Sequence, residues 1–177
     1  MKSVFKKISM LAIAAFVAMA ASAQVKPGVE TLRDGGFEQL KGKRVGLITN
    51  PSGVDNNLVS TIDILANAPG VELKALYSPE HGVRGDIPAG EKVDTYTDAA
   101  TGVTVYSLYG KNKKPSAEML KDVDVLVYDI QDNGCRSFTF ISTMGLCMEA
   151  CAENGKEFMV LDRPNPLSGL KVEGNLV

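Results

Sequence analysis

The chain holds a single histidine, His81, and no Cys-x-x-Cys or His-x-x-x-His spacing. A zinc site draws on such ligand sets, so their absence speaks against a metal centre. It also leaves a cysteine nucleophile with only His81 as an obvious base. Lysine and arginine form no cluster after the first residues, and the whole chain is net acidic at −2. Nucleic acid and anionic membrane surfaces are therefore poor partners. No G-x-G-x-x-G or Walker loop follows the first apolar run, which disfavours a dinucleotide or nucleoside triphosphate. No G-x-S-x-G elbow is present, which removes the local signature of a serine hydrolase. Internal repeats and low-complexity tracts are lacking too. No apolar stretch reaches the about 20 residues that span a bilayer.

What is present begins with a distinct leader. Lys2, Lys6 and Lys7 precede the apolar stretch Met10 to Ala20, which runs into Ala21-Ser22-Ala23. A basic start, a short apolar core and a small-x-small site are the parts of a secretory signal peptide. Residues 1–23 are read as that signal, and the mature chain as Gln24–Val177. Export to the periplasm or the extracellular space is the expected localisation, with no membrane association after cleavage. The mature chain has the size of one domain and enough apolar content for a real core.

Apolar, β-branched runs recur at Arg44–Thr49, Glu72–Tyr77, Val103–Leu108, Val123–Tyr128 and Glu157–Leu161. Continuous runs of this length suit strands covered on both faces. Helical spacing lies between them, at Leu58, Ile62, Leu65 and Ala66, and at Ile141, Met144, Met148 and Cys151. The second helix is expected to start near Ser137 or Ser142 and to stop before Asn154-Gly155. The pattern predicts an α/β fold with a Rossmann-like, doubly wound, mostly parallel sheet. The segment from Ser78 to Thr101, rich in glycine and proline, reads as a long functional loop. Cys147 and Cys151 stand one helical turn apart, as small buried side chains or as a disulfide pair.

Ligands of open α/β sheets bind beyond the carboxyl ends of the strands, which ranks the residues that follow each run. The first is followed by Asn50, and the second by Glu80, His81 and Arg84. Tyr109 follows the third, Asp129, Gln131, Asp132 and Arg136 the fourth, and Asp162, Arg163 and Asn165 the fifth. Each has a structural alternative. Asn50, Asp162 and Asn165 suit turns beside proline, and Asp129 or Asp132 suits a helix cap. Arg84 and Arg136 suit ion pairs with these acids, and Tyr109 suits packing. Glu80 beside the only histidine, in a glycine-rich loop, is the hardest to explain structurally. Paired carboxylates flanking a glycosidic bond are the chemistry left standing.

The motifs GLITNPSGVD (Gly46–Asp55), LYSPEHGVRGDIPAGE (Leu76–Glu91), VYSLYG (Val105–Gly110), DVLVYDIQDNGCR (Asp124–Arg136), FISTMG (Phe140–Gly145) and LDRPNPLSG…VEG (Leu161–Gly174) together resemble the NamZ-like exo-β-N-acetylmuramidases. The resemblance implies an exported glycosidase that releases N-acetylmuramic acid from non-reducing ends of peptidoglycan fragments, in cell-wall turnover and without a cofactor. Its partners would be muropeptides or disaccharides. It implies Glu80 as leading catalytic acid and Glu173 as second carboxylate. Asn50, His81, Arg84, Tyr109, Asp129, Gln131 and Asp132 would line the site. Arg136 or Arg163 would meet the lactyl carboxylate, or Arg163 would pair with Asp162 or Glu173 instead. Family members carry tyrosine among the aromatics after the IQD-x-G-x-R segment, where this chain has Ser137, Phe138 and Phe140. Family chains are longer, with a second domain forming the other wall of the cleft. The expectation is thus an N-terminal domain only, with incomplete activity; the alternative is a non-catalytic sugar-binding module or an inactive fragment.

Overall fold

The structure is a computed structural model that describes residues 25–88, 91, 95–135, 137–168, 170 and 172–174. The leader and Arg136 lie outside the described residues. The elements are α1 (Gly28–Asp34), a 3-10 turn (Glu38–Leu40), β1 (Arg44–Thr49), α2 (Thr61–Ala66), β2 (Glu72–Ser78) and β3 (Thr95–Thr97). They continue with β4 (Thr104–Ser107), α3 (Ala117–Leu120), β5 (Val125–Asp129), α4 (Phe140–Asn154) and β6 (Glu157–Val160). One six-stranded sheet runs in the order β3-β4-β2-β1-β5-β6. Every pairing is parallel except β3 with β4. No helix among the described residues is long and apolar enough to cross a membrane.

Both faces of the sheet are covered, and the period-2 alternation of the strands divides the core. Val45, Leu47, Leu76, Val125 and Val127 face α1 and α2, together with Val29, Leu32, Ile62 and Leu65. Ile48, Ala75, Tyr77, Leu126 and Tyr128 face α3 and α4, against Leu120, Cys147, Ala150 and Cys151. A continuous apolar run is what a strand needs when neither face meets water. The α/β sheet read from the sequence is therefore the one observed.

Four details differ from the expectation. β3 falls inside the segment read as loop, because three residues with two exposed positions carry no usable period. Leu58 lies outside α2, 81% exposed and in the left-handed region at φ 63°. The helix starts later because the Ser60 side chain caps it, accepting from the Ile62 N–H. The sheet-facing side of α4 is Thr143, Cys147, Ala150 and Cys151 with Met144 packed against the same core, so Met144 and Cys151 lie as expected while Ile141 and Met148 stay exposed. Small residues at this spacing let the helix backbone approach the strands, which larger side chains on the neighbouring stripe would prevent. Its C-terminus matches the reading, with Gly155 left-handed at φ 62°. Finally, β5, the fourth of the apolar runs, extends through Asp129, which therefore belongs to the sheet and not to the loop after it.

All three cysteines are free thiols. Burial pushes the Cys147 thiol up to about 12 and that of Cys151 up to about 11. Cys135 is exposed, and the Ser137 hydroxyl beside it draws its thiol below the ordinary value. The folded chain is expected to release one equivalent of thionitrobenzoate from Ellman's reagent, through Cys135, and three after denaturation. Three fast equivalents without denaturant would contradict the packing of α4.

Candidate functional site

Five strands point their carboxyl ends at one edge of the sheet, and the segments that follow them form two clusters there. The first is built by β2 and β4. Pro79 is buried, and His81 and Gly82 then turn the chain through two left-handed residues, φ 76° and 81°. For a non-glycine residue that conformation is strained, and strain of this kind gathers at functional turns. Val83 anchors the loop in the core, and its N–H donates to the Tyr96 hydroxyl at 3.3 Å. The result is a small pocket lined by Ser78, Glu80, His81, Tyr96, Ser107 and Tyr109. Tyr109 and Glu80 line this pocket together, and the neighbouring carboxylate, as hydrogen-bond acceptor and as charge, raises the phenol above its ordinary value.

Arg84 leaves this loop in the other direction. Its Nε donates to Asp98 Oδ1 at 2.6 Å, and Nη2 donates to Asp98 Oδ2 at 3.0 Å and to Asp63 Oδ1 at 2.7 Å. The ion pairs expected with Asp129 or Asp132 are thus replaced by pairs with Asp63 and Asp98. A guanidinium forked between two carboxylates fastens the loop to α2 and to the turn after β3, and most of its donors are committed there. Arg84 holds the Asp98 carboxyl below the ordinary 3.8, against the opposing effect of burial. A depressed carboxyl stabilises the fold at pH values where its unfolded counterpart is ionised, and loses that contribution as pH falls through the folded value. Asp98→Asn is therefore expected to flatten the loss of urea resistance below about pH 4. Parallel acid limbs for both proteins would exclude Asp98 as a source of that loss.

The second cluster joins β1, β5 and β6. Asn50 Oδ1 accepts from the Ser52 N–H at 2.9 Å and from the Ser52 hydroxyl. Ser52 Oγ in turn accepts from the Gln131 N–H at 2.9 Å, and Gln131 Nε2 donates to the carbonyls of Asp132 and Pro164. Asn50 and Gln131 thus serve as struts between loops. Asp132 Oδ1 accepts from the Gly134 N–H at 2.7 Å, a local turn and not a cap of α4. Asn165 makes a similar turn to Leu167. The two clusters touch where Gly85 meets Pro51, since a Cβ at Gly85 would sit 2.7 Å from the proline Cγ.

Asp129 and Arg163 require a correction. The Asp129 side chain is fully buried and that of Arg163 is 7% exposed. Arg163 Nε donates to Oδ1 at 2.6 Å and Nη2 to Oδ2 at 2.9 Å, while the Thr61 hydroxyl also reaches Oδ2. Nη2 donates in addition to the Val54 carbonyl at 2.8 Å. Arg163 therefore pairs with Asp129, in place of Asp162 or Glu173; Asp129 is wholly buried, while Arg163 keeps an edge in a shallow pocket with Gln131 and Pro164. The physical reason is the extra strand residue, which turns the carboxylate into the protein. Glu173 is exposed on the segment after β6. Glu91, which closes the SPEHG motif region but was not singled out from the sequence, lines the Glu80 pocket. Ser52 was missed as well, because a serine between proline and glycine looks like any turn residue. Among the described residues no three His, Cys, Asp or Glu side chains group to hold a metal ion. Chemically, the pocket offers a carboxylate, a phenol and an imidazole for proton transfer at a bound oxygen.

The family model for the N-terminal part of exo-β-N-acetylmuramidase NamZ matches residues 45–177. The peptidoglycan β-N-acetylmuramidase NamZ of Bacillus subtilis (strain 168) is 57% identical over 154 residues, covering 87% of this chain and 37% of the relative. A DUF1343 family protein from Bacteroides fragilis NCTC 9343, known from its crystal structure, superposes with a TM-score of 0.78 at 68% identity, over 86% of this chain and 38% of that one. A second from the same organism gives 0.68 at 37% identity, over 81% and 36%. The chain spans little more than a third of the length of these relatives. With the family motifs on the carboxyl edge of the sheet and the model matched through most of the chain, this protein belongs to the NamZ exo-β-N-acetylmuramidase family.

Proposed function

We propose that this chain carries the Glu80 side of an exo-β-N-acetylmuramidase site. The substrate class is peptidoglycan-derived muropeptides or disaccharides, from whose non-reducing ends N-acetylmuramic acid is released during cell-wall turnover. The leader Met1–Ala23 would export the chain to the periplasm or the extracellular space. The observation that carries the reading is Glu80, set beside Tyr109 in a pocket at the carboxyl edge. Kinship with a peptidoglycan β-N-acetylmuramidase supports the substrate class. Glu80 would protonate the glycosidic oxygen as the bond opens, and a second carboxylate would act on the other face of the sugar ring. Glu173 and Glu91 are the candidates for that second role. The lactyl carboxylate would fall to Arg136, since Arg163 is committed to Asp129.

The test is release of N-acetylmuramic acid from a chromogenic muramide by the purified chain, beside the Bacillus relative. Release that depends on Glu80 supports the enzyme, and Glu91→Gln and Glu173→Gln would then separate the two candidates. Binding of N-acetylmuramic acid without release, with the relative active, would favour a sugar-binding role instead.

A further inference from the structure

Glu80 and Tyr109 approach each other through the register of the sheet. β2 and β4 pair in parallel with Ser78 opposite Ser107, so Glu80 and Tyr109 occupy equivalent places, two residues past a matched pair. The ladder continues beyond the strands, where the Leu108 N–H donates to the Ser78 carbonyl at 2.7 Å. The Tyr109 N–H is held in turn by Ser107 Oγ at 3.3 Å. On the Glu80 side the backbone is fixed by buried Pro79 and by the left-handed turn at His81. Both side chains thus spring from fixed backbone and meet in one pocket.

We propose that Tyr109 is a positioning residue, whose hydroxyl donates to the Glu80 carboxylate and fixes the direction in which that group meets the scissile glycosidic oxygen. This rests on the glycosidase reading above. A glutamate side chain turns about several bonds, and one phenol bond on one oxygen removes much of that freedom while leaving the other oxygen for substrate. The phenol stays protonated throughout the working pH range, because its ionisation is raised by Glu80. Tyr109 therefore acts on the reaction through Glu80.

Tyr109→Phe removes the hydroxyl and keeps the ring. On a chromogenic muramide, kcat is expected to fall about ten- to hundredfold, with KM within about twofold of the parent. A raised KM at unchanged kcat would assign Tyr109 to substrate binding and overturn the proposal. Urea melts of the variant should coincide with the parent, and a lowered midpoint accounting for the lost kcat would reduce Tyr109 to a structural role. A second readout needs no turnover. In protein labelled with 13C at tyrosine Cζ, the Tyr109 signal, assigned from the Phe variant, should titrate at higher pH in the parent than in Glu80→Gln. Equal midpoints would overturn the pairing. If the parent chain shows no turnover while the midpoints differ, the glycosidase reading fails for this chain and the Glu80–Tyr109 contact stands.

Discussion

Arg163→Met is expected to cost about 3–5 kcal/mol of folding stability, a large share of the roughly 5–15 kcal/mol that holds a domain of this size together. The expectation follows from what the substitution leaves behind. Asp129 lies in the last pleat of β5 with no surface exposed, and Arg163 supplies both nitrogens that face its two oxygens. Without them the Thr61 hydroxyl is its remaining side-chain donor, and an ionised carboxylate in an apolar interior with one neutral partner is costly. The Val54 carbonyl loses its donor as well. Adding Asp129→Leu to Arg163→Met should restore much of the loss, because removing both charges ends the desolvation cost. Recovery would stay partial, with Thr61 and Val54 still unpaired. Denaturant melts of the three variants measure this directly. A single variant within about 1 kcal/mol of the parent would mean that the pair is solvated.

The second large effect concerns turnover. Glu80→Gln is expected to lower muramide release by about 10²–10⁴-fold, the usual worth of a positioned proton donor or acceptor. Glutamine keeps the shape, and its carbonyl still accepts from Tyr109, but it has no proton to give and no charge to offer. Glu80 is only partly buried and lies outside both core clusters. Its melting midpoint should therefore match the parent, and the loss should appear in kcat. Undiminished turnover in a folded Glu80→Gln chain would remove Glu80 from the chemistry.

Why some of this was legible in the sequence and some was not comes down to distance along the chain. Runs such as Arg44–Thr49 announce themselves because each strand packs on both faces, and apolarity is then local information. The carboxyl-edge ranking followed from the same strands and led to Glu80. The side of α4 that meets the sheet was legible only in part: Met144 and Cys151 of the expected stripe pack inward, while the strands beneath select Cys147 and Ala150 over Ile141 and Met148. Asp129 looked like a loop residue until the strand proved one residue longer. Its partners Thr61 and Arg163 stand 68 and 34 residues away, beyond the reach of any spacing rule. Tyr109 was visible as a candidate, but its link to Glu80 depends on the Ser78–Ser107 register, which only the folded sheet defines.

The same separations bear on the order in which the sheet can close. β1 can find β2 soon after both emerge, yet its other neighbour begins with Val125 opposite Val45. Once β5 has emerged, closing the centre of the sheet would trap the Asp129 carboxylate before its counter-charge exists. Closing the sheet around β5 therefore gains little until Arg163 is there to pair with it. The buried pair thus acts as a latch that ties completion of the sheet's centre to the segment after β6.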